Sequence, residues 1–174
     1  YEFKIMELIY DDSQKEDFNV LYIHSKGISD VRKEPQVQAN IRDWVDMMIY
    51  YLIDKHEKCL EKLQEYDAVG VNLISDPVHF SGNFWWSKAG HIKTLGQIVD
   101  RSYNGPEFYI TSKADGKYFS LWNSNVWHYG TPYPPEKYVG QIIENFGNGN
   151  DNSNYSQYIL MILISIGMLT FIGL

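Results

Sequence analysis

The stretch HFSGNFWWSKAGHIKTL, residues 79–95, decides how the fold is read. Two adjacent tryptophans, Trp85 and Trp86, follow Phe84, and His79, Gly82 and Asn83 stand just before them. An apolar wall carrying a few polar groups is how small-ligand sites are usually built. Gly82 takes backbone angles that other residues resist and lets a ligand come close to the main chain. Neighbouring side chains alternate on a strand, so the two indoles point to opposite faces. One is expected in the core and the other on a surface or cleft. A strand-to-helix corner with two core aromatics accounts for the same residues, since buried tryptophan is common. After Trp86, Ser87 is the expected N-cap of a short helix over 88–95, with Ile92 and Leu95 inward and His91 on the surface.

Upstream, residues 18–23 concentrate Phe, Val, Leu, Tyr and Ile in a run too short for a helix and apolar enough for a buried strand, as in a sheet covered by helices on both faces. It ends in His24-Ser25-Lys26-Gly27, at the carboxyl end of a strand, where open α/β sheets place their ligands. Lys26 can offset phosphate charge as a point cation, and Gly27 can let backbone amides approach the same oxygens. A solvated turn is the other reading of that segment. Between Val37 and Leu63 the apolar residues recur every three or four positions, which predicts a helix, with a break expected near Asp54. Residues 1–10 are expected to form a short helix, and residues 68–73 a second buried strand.

Downstream, Asn104-Gly105-Pro106 signals a turn, and Glu107 precedes the strand-like run Phe108-Tyr109-Ile110. A carboxylate at the mouth of such a strand is suited to take a proton from a substrate hydroxyl. It is also suited to bind substrate hydroxyls or to pair with Arg101. Residues 111–117 are expected to join a hairpin, and residues 136–146 to form a last short helix.

Composition narrows the class. The net charge of −7 argues against a nucleic-acid binder, which would carry a basic face. Aromatic residues make up 16% of the chain, a content that suits stacking on sugar rings and also suits a tyrosine-rich core. Cys59 is the single cysteine, so no internal disulfide forms and a reducing, cytosolic setting is favoured.

The run 79–95 is preceded by YIHSKG at 22–27 and DAVGVN at 67–72, and is followed by YNGPEFYI at 103–110; Trp44 and Met48 supply a W-x-x-x-M helix pattern. In this combination the chain resembles a family of GT-A-type glycosyltransferase-like proteins, related in pattern to rhamnan synthesis F-type proteins. The resemblance implies an α/β fold of the partial nucleotide-diphosphosugar transferase type, with a mixed, mostly parallel sheet, flanking helices and a length of 1–144. The implied reaction moves a hexose from a nucleotide-sugar donor to a glycan hydroxyl. The donor diphosphate is expected at His24, Ser25, Lys26 and Gly27, and sugar at Gly82, Asn83, Trp85, Trp86, Trp127 and Tyr129. Glu107 and His79 are the expected catalytic residues. His128 is the candidate ligand of a divalent cation, manganese or magnesium, although the family's usual Asp-x-Asp pair has no counterpart here. Such folds begin with a base-binding βαβ unit, so the chain is expected to be N-terminally truncated. A carbohydrate-binding or membrane-tethered interaction module derived from such an enzyme is the alternative.

The last part of the chain changes character. Residues 145–157, NFGNGNDNSNYSQ, read as a flexible linker. Residues 158–174, YILMILISIGMLTFIGL, carry no charge and as a helix would extend ~25 Å, at the short limit for crossing a bilayer. A membrane-inserted helix is expected there, with the globular part on the cytosolic side.

Overall fold

The computed structural model describes residues 2–25 and 34–141 with their side chains, and residues 159–165 and 168–172 as backbone. Lys26, Gly27 and the expected linker 145–157 lie outside the described residues. In chain order the elements are α1 (Glu2–Ser13), β1 (Asn19–Tyr22), α2 (Pro35–Ile49), a π-helical turn (Tyr50–Asp54), α3 (His56–Lys62) and β2 (Ala68–Gly70). There follow β3 (Leu73–Ser75), β4 (Val78–Phe80), β5 (Trp85–Lys88), α4 (Ala89–Leu95), α5 (Gly105–Tyr109) and β6 (Tyr118–Ser120). A 3-10 turn (Pro135–Lys137), β7 (Ile159–Ser165) and β8 (Met168–Ile172) complete the chain.

Six strands form one mixed sheet in the order β6-β2-β5-β1-β7-β8, and β3 and β4 form a separate antiparallel hairpin. Strand β5 runs antiparallel to both β1 and β2, whereas β2 pairs parallel with β6 and β1 parallel with β7. Strands β1, β2, β6 and β7 therefore share one direction, and β5 and β8 oppose it. The sheet is mixed, as expected, but three of its five pairings are antiparallel, because β5 is inserted between β1 and β2, which point the same way, and β8 turns back on β7.

Side-chain alternation sorts the sheet into two buried faces. On one face Leu21, Ile23, Val69, Val71 and Trp86 pack against Trp44, Met47, Met48, Tyr51 and Leu52 from α2 and the π turn. On the other, Val20, Tyr22, Ala68 and Trp85 pack against Ile5, Met6 and Ile9 of α1, Ile92 of α4 and Tyr109 of α5. Helices cover both sides, so both strand faces are apolar. Pro35 opens α2 at a position where its missing N–H costs nothing, and Ile41, Trp44 and Met48 then fall on one face. At the π turn, Lys55 N–H reaches back to Tyr50 O, which widens the ladder at the expected break near Asp54.

Several local expectations change. Residues 108–110 belong to the short helix α5 and its end, because Pro106 sits in the helix's first turn, where it is favoured. Strand β6 consequently has no hairpin partner across 111–117 and pairs with β2 instead. Ser87 lies inside β5, its hydroxyl bonded to Asp67 O at 2.8 Å, and Lys88 occupies the N-cap of α4. His91 is buried, with Nε2 2.9 Å from Ile110 O. Residues 159–165 and 168–172 are strands rather than the expected helix. An apolar run this rich in Ile and broken by Gly167 suits a buried strand as well as a helix, and the open edge of β1 offers it a partner. Among the described residues no helix is long and apolar enough to cross a membrane.

Candidate functional site

The shared direction of β1, β2 and β6 brings their carboxyl ends to one rim of the sheet, together with the amino end of β5. Two polar clusters stand on this rim. The first gathers at the end of β1. The His24 Nε2 lies 3.1 Å from Gly82 O, and its Nδ1 lies 3.6 Å from a Glu2 carboxylate oxygen. The other Glu2 oxygen accepts hydrogen bonds from Tyr22 OH at 3.0 Å and from Asn83 Nδ2 at 3.3 Å. Asn83 Oδ1 in turn accepts the Trp85 indole N–H at 3.0 Å. Burial, with the nearby Glu2 charge adding to it, pushes the Tyr22 phenol well above its ordinary range, so Tyr22 stays a donor. His24 and Asn83 both contact Glu2, and His24 also reaches Gly82 O beside Asn83, with half-buried Ser25 next in the chain.

Gly82 has φ +99°, which suits glycine. The space beside it is filled from within the protein: a methyl built there would lie 2.5 Å from Met48 Sδ and 3.2 Å from a Trp44 ring carbon. The close approach at Gly82 is therefore made by α2 rather than by a ligand. Both indoles of the tryptophan pair are also closed off. Trp85 is 0% exposed and stacks on Tyr22 with ring centroids 5.0 Å apart. Trp86 is 2% exposed and donates its N–H to Leu52 O at 2.7 Å. The expectation that one of them lines a cleft is corrected, since a sheet covered on both faces buries both members of an alternating pair.

The second cluster forms where β2 and β6 end. His128 Nε2 lies 2.8 Å from Ser124 Oγ and 3.1 Å from Asn72 Nδ2, while Asn72 Oδ1 accepts the Ser124 backbone N–H at 2.7 Å. The imidazole stacks on Trp44 at 4.9 Å with planes 3° apart and meets Tyr133 edge-on at 5.4 Å. Burial drives its pKa down to about 4, so the ring is neutral at pH 7. A neutral imidazole that receives the Asn72 amide N–H on Nε2 carries its proton on Nδ1, which has no hydrogen-bond partner among the described residues.

Helix α2 carries this cluster. Asn40 Nδ2 donates to Tyr129 O at 3.1 Å, and Asp43 accepts the Tyr133 N–H at 3.0 Å. The 123–131 loop above it presents Trp127, which is 72% exposed, with the half-buried Tyr129 ring 6.4 Å away and tilted by 55°. Trp127 is the tryptophan with an open face. As a cation ligand His128 does not fit. Its Nε2 is occupied by Ser124 and Asn72, and no group of three or more His, Cys, Asp or Glu among the described residues stands close enough to hold a metal ion.

Glu107 and His79 occupy a different flank. The hairpin β3–β4 lies over the rim, tied on one side to the β6 end through Leu73 N–H to Asn123 Oδ1 at 3.1 Å and on the other to α5 through Thr111 Oγ1 to Val78 O at 2.7 Å. His79 sits on β4, its Nδ1 2.7 Å from Pro77 O and its ring edge-on to Phe108 at 5.4 Å. Glu107 is half-buried, and its carboxylate makes no hydrogen bond or ion pair among the described residues. Arg101 pairs instead with Glu7 at 2.6 Å, which removes the expected alternative of an Arg101–Glu107 pair. Among the described residues, no polar contact joins Glu107 to His24 or Asn83, whose own polar contacts run to Glu2 and Gly82. Sequence reasoning missed Glu2, Asn72 and Ser124, because only the folded chain sets them against His24 and His128. Comparisons with protein-family models, with curated proteins and with solved structures gave no match.

Proposed function

We propose that the domain acts as a glycosyltransferase-like protein that uses a nucleotide-sugar donor and a glycan acceptor at the carboxyl rim of its sheet. The observation that supports this reading best is the convergence of His24 and Asn83 on that rim, 3.1 Å from His24 Nε2 to Gly82 O, where α/β sheets hold their ligands. The segment 24–27 is the proposed seat of the diphosphate. In the transfer, the acceptor oxygen bonds to the anomeric carbon as the bond to the diphosphate oxygen breaks, and the hydroxyl proton passes to a base.

The test is turnover of uridine, guanosine and thymidine diphosphate sugars, with and without manganese. Turnover that falls by about 10² or more in His24→Ala and in Lys26→Ala, with circular dichroism unchanged, is the expected result. Absence of both turnover and saturable donor binding overturns the proposal. A carbohydrate-binding module that does not transfer is the second reading, favoured by the lack of a cation-holding cluster among the described residues. Glycan binding with no donor turnover selects it.

A further inference from the structure

We infer that the open face of Trp127 is an acceptor subsite for a neutral pyranose ring. The inference rests on the glycan-handling reading above but names a place and a substrate class for it.

The platform is built into the backbone rather than left loose on the surface. A methyl placed on Gly130 would lie 2.5 and 2.6 Å from Cε3 and Cζ3 of Trp127, so the six-membered ring of the indole lies directly on the glycine. Only a residue with no side chain allows that contact. The turn is closed by Gly130 and Thr131, whose N–H groups both donate to Trp127 O at 3.0 Å. Beneath it, Tyr129 is held by Asn40 and meets Trp44 edge-on at 5.6 Å, and His128 is stacked on the same Trp44. A large aromatic face that is 72% exposed yet fixed from behind is preorganised for a flat partner and loses little freedom on binding.

The chemistry around that face selects the partner. Ring C–H bonds of a pyranose carry slight positive charge and meet the negative face of an indole. From Ser120 to Pro135 the chain contains no Asp, Glu, Lys or Arg. Among the described residues, two charged groups bond to the loop and are engaged there, Asp43 on the Tyr133 N–H and Lys137 on Pro132 O at 3.0 Å. The loop also carries two exposed carboxamides, Asn125, and Asn123, whose Oδ1 is occupied by Leu73 N–H and Ser120 Oγ so that its NH₂ group is left to donate. These groups match hydroxyls. A stacked nucleobase would bring phosphates to a loop beside which no unengaged cation stands among the described residues, and an acidic sugar would meet the same lack in a chain of net charge −7. The neutral ring of an acceptor glycan fits.

The experiment is a printed array of neutral and acidic glycans, followed by calorimetric titration of the full chain with the neutral oligosaccharides that bind. The expected result is saturable binding of neutral glycans that weakens at least tenfold in Trp127→Ala and in Gly130→Val, with less loss in Trp127→Phe and unchanged circular dichroism in all three. No binding to any neutral glycan overturns the inference, as does undiminished affinity in Trp127→Ala or equal affinity for acidic glycans. Donor turnover, measured on the same samples, separates the two proposals. Glycan binding without turnover sustains the subsite and overturns the transferase reading, whereas turnover without glycan binding does the reverse.

Discussion

Trp86 carries two energetic roles at once, filling the α2 face of the sheet and supplying the N–H that satisfies Leu52 O at 2.7 Å. Trp86→Phe keeps most of the apolar volume and removes the buried indole donor to Leu52 O, so urea denaturation is expected to show a loss of about 1–3 kcal/mol. A loss no larger than that of an exposed substitution would contradict the assigned bond. His128 is the second residue whose environment makes a measurable prediction. Its folded pKa of about 4 lies below the ordinary ~6.5, so unfolding takes up a proton between those values. Stability is complete above pH ~6.5 and falls as the pH drops toward 4, by up to about 3 kcal/mol from this residue. His91, also buried with its pKa lowered by desolvation, adds to the fall with the same sign. The melting temperature of the wild-type chain should therefore decline over that window, with a smaller decline in His128→Gln; equal slopes would remove His128 as a cause.

Elements meet at Gly82, where the turn before β5 presses onto α2. Alanine there must adopt φ +99° and place its methyl 2.5 Å from Met48 Sδ. Both terms oppose it, and Gly82→Ala is expected to cost about 1–3 kcal/mol. In the double variant with Met48→Ala the steric part is relieved and the backbone part persists, so a double-mutant cycle should show a favourable coupling that recovers only a fraction of the loss. Strict additivity would place the whole effect in the backbone. Helix α2 owes its formation to its own periodicity. Its functional contribution comes from polar residues on the margin of the same face, Asn40 and Asp43, which fix the chain at Tyr129 and Tyr133.

For the whole molecule, the pairing of β7 with β1 makes the C-terminal apolar run part of the sheet. Deleting residues 159–174 exposes a flat edge of β1, and open edges invite pairing between chains. The shortened chain is expected to melt lower and to elute as larger species on size exclusion, while unchanged melting and a monomeric profile would argue against that pairing.

Local periodicity already specified the strand at 18–23, the long helix with its break near Asp54, the helix at 88–95 and the opposite facing of Trp85 and Trp86. Each rests on the sequence within one turn or one pleat, where side-chain direction is set by the backbone alone. Whether a face so defined meets solvent or another layer depends on distant segments, and so the fate of the two indoles, the burial of His91 and the role of Gly82 were decided only by α1, α2 and α4 closing over the sheet. The 106–110 segment and the apolar run 158–174 were ambiguous for the related reason that short apolar stretches suit helix and strand alike until a partner edge is present. The candidate site divides the same way: His24 was marked by its place after a strand, whereas its union with Glu2 and Asn83, the anchoring of His128 by Asn72 and Ser124, and the backing of Trp127 by Gly130 are products of tertiary contact.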